Sequence, residues 1–230
     1  MDWQTPSFGD PVYVIGDIHG NITALEALNE KLDPSIPRIL VGDYVDRGQD
    51  SARVLEYVSQ SAEMTCLIGN HEQMLLNFLD RPTEASKMWF KNGGLQTLLS
   101  YGVPVPSTPK TADAQIDIAE ALRAKMGDTT VSWLQNLSHY LHLGNVVAVH
   151  AALDPGDAVS NQTADTMLWG HKDFFQKTRS DGNWVVHGHT IVPEPLCEQG
   201  RISIDTGAYA TGVLTAALLG DGAPRFVQSK

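Results

Sequence analysis

The sequence predicts an α/β fold with a β-α-β-α-β first half, a helical insertion at about residues 73–140 and a more antiparallel second half. Three observations carry that prediction. Apolar runs at Val12–Ile15, Ile36–Val41 and Thr65–Ile68 alternate with amphipathic stretches, the rhythm of parallel strands joined by crossover helices. From His71 to about Tyr140 helical spacing dominates. After Asn145, short β-type runs recur between Gly, Pro and Asp turns.

Each element has a local reason. Asn21 is placed to cap a helix running to Leu32, with Ile22, Leu25, Leu28 and Leu32 on one face. Asp50 or Ser51 caps a second helix that buries Val54, Leu55 and Val58. Further helices are expected at Gln73–Leu79, Glu84–Lys91, Gly94–Ser100, Ala112–Met126 and Thr130–Leu137, with Pro104, Pro106 and Pro109 forming a loop among them. Strands follow at Asn145–His150, Trp184–His187, Arg201–Ile204, Gly212–Leu219 and Arg225–Val227. The 230 residues read as one domain that carries the helical stretch as a cap-like insertion.

The first three strands each end in glycine plus a polar residue able to bind metal: Gly16-Asp17, Gly42-Asp43 and Gly69-Asn70. Sites in open α/β sheets form at the carboxyl ends of strands, so these three ends are expected to converge. The middle one, Gly42-Asp-Tyr-Val-Asp-Arg-Gly48, is dense in charge for a strand end.

The formal net charge of -11 argues against nucleic acid and anionic membranes as partners. Cys66 and Cys197 are far apart in sequence, which suits reduced thiols. The polar, acidic start has no basic-then-apolar signal, and no apolar run is long enough for a span, so a cytoplasmic location is expected.

Five segments carry the candidate chemistry: Gly16-Asp-Ile-His-Gly20, Gly42–Gly48, Gly69-Asn-His-Glu72, Val149-His150 and Gly188-His189. They offer carboxylates, imidazoles and one amide, a set suited to borderline divalent ions, and no thiol of the kind a structural zinc site uses. Asp17 and His19 are placed to hold one ion, Asp43 to bridge, and Asn70 to offer an amide oxygen. Two ions about 3.5–4 Å apart would lower the pKa of a bound water, which removes the need for a side-chain nucleophile. A lone Gly-Asp is more often a turn. Four specified residues, as in GDIHG, match by chance at roughly one position in 10^5, and three such strings in order exceed coincidence.

These three strings resemble the signature of the phosphoprotein phosphatase family of metallophosphoesterases. The resemblance runs from about Val12 to Tyr209. Trp89-Phe-Lys-Asn-Gly-Gly-Leu-Gln-Thr-Leu-Leu-Ser-Tyr-Gly102 and Ile204-Asp-Thr-Gly-Ala-Tyr209 are similar to stretches of its bacterial serine/threonine protein phosphatase-like branch, phage enzymes included. The fold it implies is a four-layer αββα sandwich. The reaction it implies is phosphomonoester hydrolysis by direct attack of a metal-bound hydroxide.

Residue by residue, the resemblance places Asp17 and His19 on a first metal and makes Asp43 the bridge. It assigns Asn70, His150 and His189 to a second. His71 becomes the general acid, oriented by Asp46, and Arg47 grips phosphoryl oxygens. Within Val186-His-Gly-His-Thr190 it selects His189 as the ligand and leaves His187 supporting or structural. Two departures stand out. His150-Ala-Ala152 replaces His-Gly-Gly, and His171 stands where relatives carry a second phosphate-clamping arginine, leaving Lys172 or Arg179 as substitutes. Tyr209 could reach the site through the late loop.

The leading expectation is therefore a serine/threonine protein phosphatase using two divalent ions, Mn2+ foremost, with Fe and Zn or Co2+ also suited. Its substrate would be a phosphoprotein or a small phosphoester. The alternative is a bis(5'-nucleosyl)-tetraphosphatase, although such enzymes more typically end the third string in Asp than in Glu72. A second alternative is a metal-retaining, catalytically weak scaffold protein, favoured only by His171. Trp89 and Phe90 read as packing residues, and His139 and His142 as structural or exposed.

Overall fold

Strand burial sets the architecture. The computed structural model describes residues 5–7, 9–104, 111–220 and 222–230; the expected loop residues Pro106 and Pro109 lie outside these. In chain order the first elements are β1 (Val12–Ile15), α1 (Ile22–Asn29), β2 (Arg38–Leu40), α2 (Ser51–Gln60) and β3 (Met64–Cys66). Four helices follow: α3 (Asn70–Asp80), α4 (Pro82–Lys91), α5 (Gly94–Ser100) and α6 (Ala112–Gln135). The remainder is β4 (Tyr140–Leu143), β5 (Val146–Val149), α7 (Ala164–Trp169), β6 (Trp184–His187), β7 (Leu196–Glu198), β8 (Arg201–Ser203), α8 (Ala208–Thr211), β9 (Thr215–Leu219) and β10 (Arg225–Gln228).

The strands form two five-stranded sheets, ordered β10-β9-β1-β2-β3 and β4-β5-β6-β8-β7. In the first, β1, β2 and β3 are parallel, with Ile15 opposite Leu40 and Leu40 opposite Cys66; β9 and β10 join antiparallel. In the second, β5, β6 and β8 are parallel, flanked by antiparallel β4 and β7. The second half therefore contributes antiparallel strands to both sheets, β9 and β10 to the first and β4 and β7 to the second, around a parallel β5-β6-β8 centre. Because β5 and β6 are parallel, with Val149 opposite His187, His150 and His189 leave their strands at the same end of the sheet.

Alternation along the strands separates the layers. Val12, Val14, Ile39, Val146, Ala148, Val186, Ile202 and Ala217 meet in an apolar cluster between the two sheets. Their neighbours Tyr13, Ile15 and Leu40 face outward onto α1 and α2 through Leu25, Leu28, Val54 and Leu55. Val147, Val149 and Val185 face the other way, onto Met167, Leu153 and Phe174. Helices outside, sheets inside: the αββα sandwich. Each such aliphatic side chain contributes roughly 1.5–3 kcal/mol by leaving water.

The helices α3 to α6 extend the outer layer of the first sheet. Phe78, Trp89, Leu98, Leu122 and Leu134 join the same cluster as Ile15, Leu25 and Leu55. Asn21 caps α1 as expected, its Oδ1 accepting from Ala24 N at 3.0 Å. Asp50 precedes α2 without a side-chain cap bond. Gly127 (φ 76, ψ 154) breaks α6 between the two helices that the sequence spacing predicts. The strands that spacing misses, β4 and β7, are sheet edges with half-buried or exposed side chains, so they lack a clean apolar alternation.

Candidate active site

The strand ends do converge. Asp17 follows β1, Asp43 follows β2, and Asn70 opens α3 just after β3, while His150 and His189 follow β5 and β6 of the other sheet. Close approach is enforced by glycine. A Cβ on Gly16 would lie 2.5 Å from the Ile204 carbonyl oxygen, and one on Gly42 would lie 2.5 Å from Gly69 N.

Two triads of potential metal ligands share Asp43. One is His19, Asp43 and His71; the other is Asp43, His150 and His189. Asp43 Oδ2 lies 3.4 Å from His19 Nε2, and Asp43 Oδ1 lies 3.4 Å from His150 Nε2. The ring tautomers follow from their outer partners. His19 Nδ1 donates to Val45 O at 2.9 Å and His150 Nδ1 donates to Val41 O at 3.1 Å, since a carbonyl can only accept. The Nε2 lone pairs therefore point inward, the arrangement that metal-ligating histidines adopt. Asn70 turns its Oδ1 to His150 Nε2 at 2.7 Å and to His189 Nδ1 at 3.0 Å. Electron pairs of His150, Asn70 and Asp43 thus face one another, and a cation among them satisfies all three. The donor set fits divalent metal.

Electrostatics point the same way. Burial lowers His19 to about 3 and His150 to about 4, so both are neutral and ready to ligate near pH 7. Burial opposes ionisation of Asp43, but the imidazoles of His150, His71 and His19 outweigh it and hold the carboxyl below its usual range. Burial, then repulsion from Asp205 and Asp43, drives Asp17 well above the usual carboxylate range. Burial likewise lifts Asp205 to about 6. More negative charge is gathered here than the pocket holds ionised on its own, which is the deficit a dication relieves.

Asp17 stands outside both triads. Its carboxylate accepts from the His189 backbone N–H at 3.1 and 3.2 Å and so ties the end of β1 to the loop after β6. Its carboxyl also lies within side-chain hydrogen-bonding reach of Asp205. Asp205, which the sequence presents only as part of the stretch 204–209, also follows a strand closely, two residues after β8, but its glycine, Gly207, comes after the acid and not before it.

His71, a member of the first triad, also pairs with two further predicted residues that lie outside both triads, Asp46 and Arg47. His71 Nδ1 donates to Asp46 Oδ2 at 2.7 Å, and His71 Nε2 is 3.3 Å from Arg47 Nη2. Burial pulls the His71 imidazolium down, but the Asp43 and Asp46 carboxylates lift it above its ordinary range. Arg47 lies over the Tyr209 ring, 4.7 Å from its centroid, so the late loop does reach the site. Arg47 and His189 are half-buried and Tyr209 is exposed, which marks the open side. Six non-glycine residues among those described have positive φ, and five are here: His19, Asp43, Asp46, Arg47 and His189. Backbone held in that region clusters at functional sites.

Other candidates fall elsewhere. His187 Nδ1 donates to the Gly188 carbonyl at 2.9 Å, its Nε2 pairs with Ser203 Oγ at 2.9 Å, and the ring does not join the triads, in keeping with a supporting role. His171 faces Asp154, 3.6 Å from its Oδ2. Arg179 is no substitute phosphate clamp. Its guanidinium is buried and donates to the Asp154 and Asp157 carbonyls and to the Asp181 carboxylate, so its fork is occupied within its own loop.

Three residues gain roles that the sequence does not announce. Glu72 is fully buried; its Oε2 accepts from Asp43 N and Gly69 N, its Oε1 from Tyr44 N and Val45 N. It reads the protein backbone and cannot read a substrate, so its identity does not separate protein phosphatase from tetraphosphatase. Trp89, read as packing, does fill the core, but its Nε1 also donates to both Asp46 oxygens at 3.0 Å. Thr97 Oγ1 donates to Asp46 Oδ1 at 2.6 Å.

Known proteins resemble this chain in sequence and in fold. A family model described as calcineurin-like phosphoesterase matches residues 10–193. The symmetrical bis(5'-nucleosyl)-tetraphosphatase of Pseudomonas fluorescens is 27% identical, over 88% of this chain and 89% of its own. The asymmetrical bis(5'-nucleosyl)-tetraphosphatase of Oceanobacillus iheyensis is 26% identical, over 88% of this chain and 86% of its own. Serine/threonine-protein phosphatase 1 of Salmonella typhimurium is 43% identical over 86 residues, 36% of this chain and 38% of its own. A solved metallophosphoesterase from Sphaerobacter thermophilus superposes with TM-score 0.60 at 17% identity, covering 96% of this chain and 89% of that one, a likeness of fold.

Proposed function

Because the chain belongs to the calcineurin-like phosphoesterase family, whose model spans residues 10–193, we propose that it cleaves dinucleoside tetraphosphates using two divalent ions held about Asp43. Membership makes it a hydrolase of phosphoric esters or anhydrides. The observation that supports two-ion hydrolysis is Asp43 shared by two triads, with Asp46 and Arg47 beside them.

Asp17, His19 and Asp43 would hold one ion; Asp43, Asn70, His150 and His189 would hold the other. Such ions supply a nucleophile from water and absorb charge on the transferring phosphoryl group. Mn2+, Fe with Zn, or Co2+ all suit the mixed oxygen and nitrogen donors, and Mn2+ is the ion proposed first. Arg47 presents its guanidinium toward the open side, where phosphoryl oxygens arrive. His71, its Nδ1 fixed by Asp46, accepts from Arg47 at Nε2 here and, once protonated at that atom, would give the proton to the departing oxygen. No membrane contact is called for: among the described residues, no helix is long and apolar enough to cross one.

The tetraphosphatase reading is favoured over the protein phosphatase reading by relatives matched along most of their length. The features that suggest a protein phosphatase in the sequence both turn inward. Glu72 binds backbone, and the Asn92-Gly93-Gly94 turn packs on Arg47 and Trp89. Action on phosphoserine or phosphothreonine remains the second reading, supported by the 43% identical segment. Incubating the purified protein and Mn2+ separately with diadenosine tetraphosphate and with phosphopeptides tests the pair. Chromatography is expected to show nucleotide products from the first at the faster rate. Phosphate release from the peptides alone would replace the proposal with the second reading.

Arg47→Ala carries a separate expectation. Losing one charged donor to the phosphoryl group lowers kcat by roughly 10^2–10^3-fold. Metal content, read by elemental analysis, stays unchanged because no triad includes Arg47. A near-wild-type rate would show that phosphate is held some other way.

A further inference from the structure

We propose that the α4–α5 hairpin holds the Asp46–His71 pair in its working geometry, with Trp89 and Thr97 as positioning residues; this rests on the reading of His71 as proton donor. Asp46 is fully buried, and both of its carboxylate oxygens are engaged. One faces His71 Nδ1 at 2.7 Å; the others bound to the carboxylate are Trp89 Nε1 and Thr97 Oγ1, both from this hairpin. Thr97 Oγ1 also accepts from Asp46 N at 2.9 Å, so one hydroxyl grips both ends of the same residue. A buried carboxylate with a single partner could rotate about its side chain. Donors on three sides leave it one orientation, and the His71 ring inherits that orientation.

The hairpin is shaped for this contact. Gly93 (φ +104) passes so near the site that a Cβ would lie 2.6 Å from Arg47 N, and its carbonyl accepts from Arg47 N at 3.3 Å. A Cβ on Gly94 would overlap the Trp89 ring. Asp46 and Arg47 sit at φ 70 and 67, a region that needs outside support in non-glycine residues. The hairpin supplies it to both, through Thr97 on one and Gly93 on the other.

The test uses leaving-group dependence, which a merely structural role does not move. A general acid matters little for p-nitrophenyl phosphate and much for phenyl phosphate, whose phenoxide needs a proton up to a pH of about 10. The variants are Trp89→Phe, Thr97→Val and Thr97→Ser, with His71→Asn as reference, all assayed with Mn2+. Because both rates come from one preparation, their ratio is independent of how much protein is folded. Trp89→Phe and Thr97→Val are expected to lower the phenyl-to-nitrophenyl ratio by about tenfold, a part of the roughly 10^2–10^4-fold that positioned proton transfer supplies. Thr97→Ser is expected to restore it. Should His71→Asn lower the ratio while Trp89→Phe and Thr97→Val leave it alone, the positioning role is overturned and the reading of His71 stands. An unchanged ratio in His71→Asn itself would remove that reading, and the proposal with it.

Discussion

Asp43→Asn will cut turnover by about 10^3-fold or more and drop bound metal from about two ions per chain to about one. The direction follows from what each oxygen does. Asp43 Oδ1 accepts from the His71 backbone N–H at 3.0 Å, so the amide oxygen of the variant takes that place. The amide NH2 then falls at Oδ2, facing the His19 and His71 Nε2 atoms. That triad loses the anion it shares with the other one. Elemental analysis alongside kinetics on the same sample checks both parts, and two ions retained at full activity would show that Asp43 bridges nothing.

Glu72→Gln is expected to lower stability by roughly 3 kcal/mol although Glu72 need touch neither metal nor substrate. Its carboxylate serves four backbone N–H groups: Asp43, Gly69, Tyr44 and Val45. Glutamine keeps one acceptor and turns an NH2 against two donors in a fully buried place. For a chain of this size the loss corresponds to a fall in Tm of about 6–12 °C, at roughly 2–4 °C per kcal/mol. Activity measured well below the melt should fall as well, because two of the four groups belong to Asp43 and Gly69. A Tm within about 1 °C of wild type would mean that other acceptors replace the carboxylate.

What was legible in the sequence is what sits next to a strand in the chain. Asp17, Asp43, Asn70, His150 and His189 each follow an apolar run closely, so their convergence could be expected before any contact was seen. The sandwich itself was implied only by the family resemblance: β1, β5 and β6 are buried on both faces, so their sequences do not say which face meets the other sheet. Residues whose work depends on distant partners were not legible either. Trp89 and Thr97 reach Asp46 across 43 and 51 residues, and an indole in an apolar helix looks like core whatever its N–H is doing. Arg179 shows the opposite error: a free-looking guanidinium in sequence is saturated by two carbonyls and a carboxylate in space. Glu72 stood in plain view as the last letter of its motif, but its position as the third residue of α3, where an acid caps back onto Gly69 N, was the clue to its role.

The five left-handed residues of the site set activity against stability in this fold. Each costs about 1 kcal/mol or more relative to an ordinary backbone, and none of the five can be exchanged for glycine without losing the side chain that the chemistry uses. The chain therefore cannot sit at its stability optimum while it works. Substitutions that relax these positions would be found readily in a search for thermostable variants, and a search guided by melting temperature alone would drift toward a sturdier protein with an idle centre.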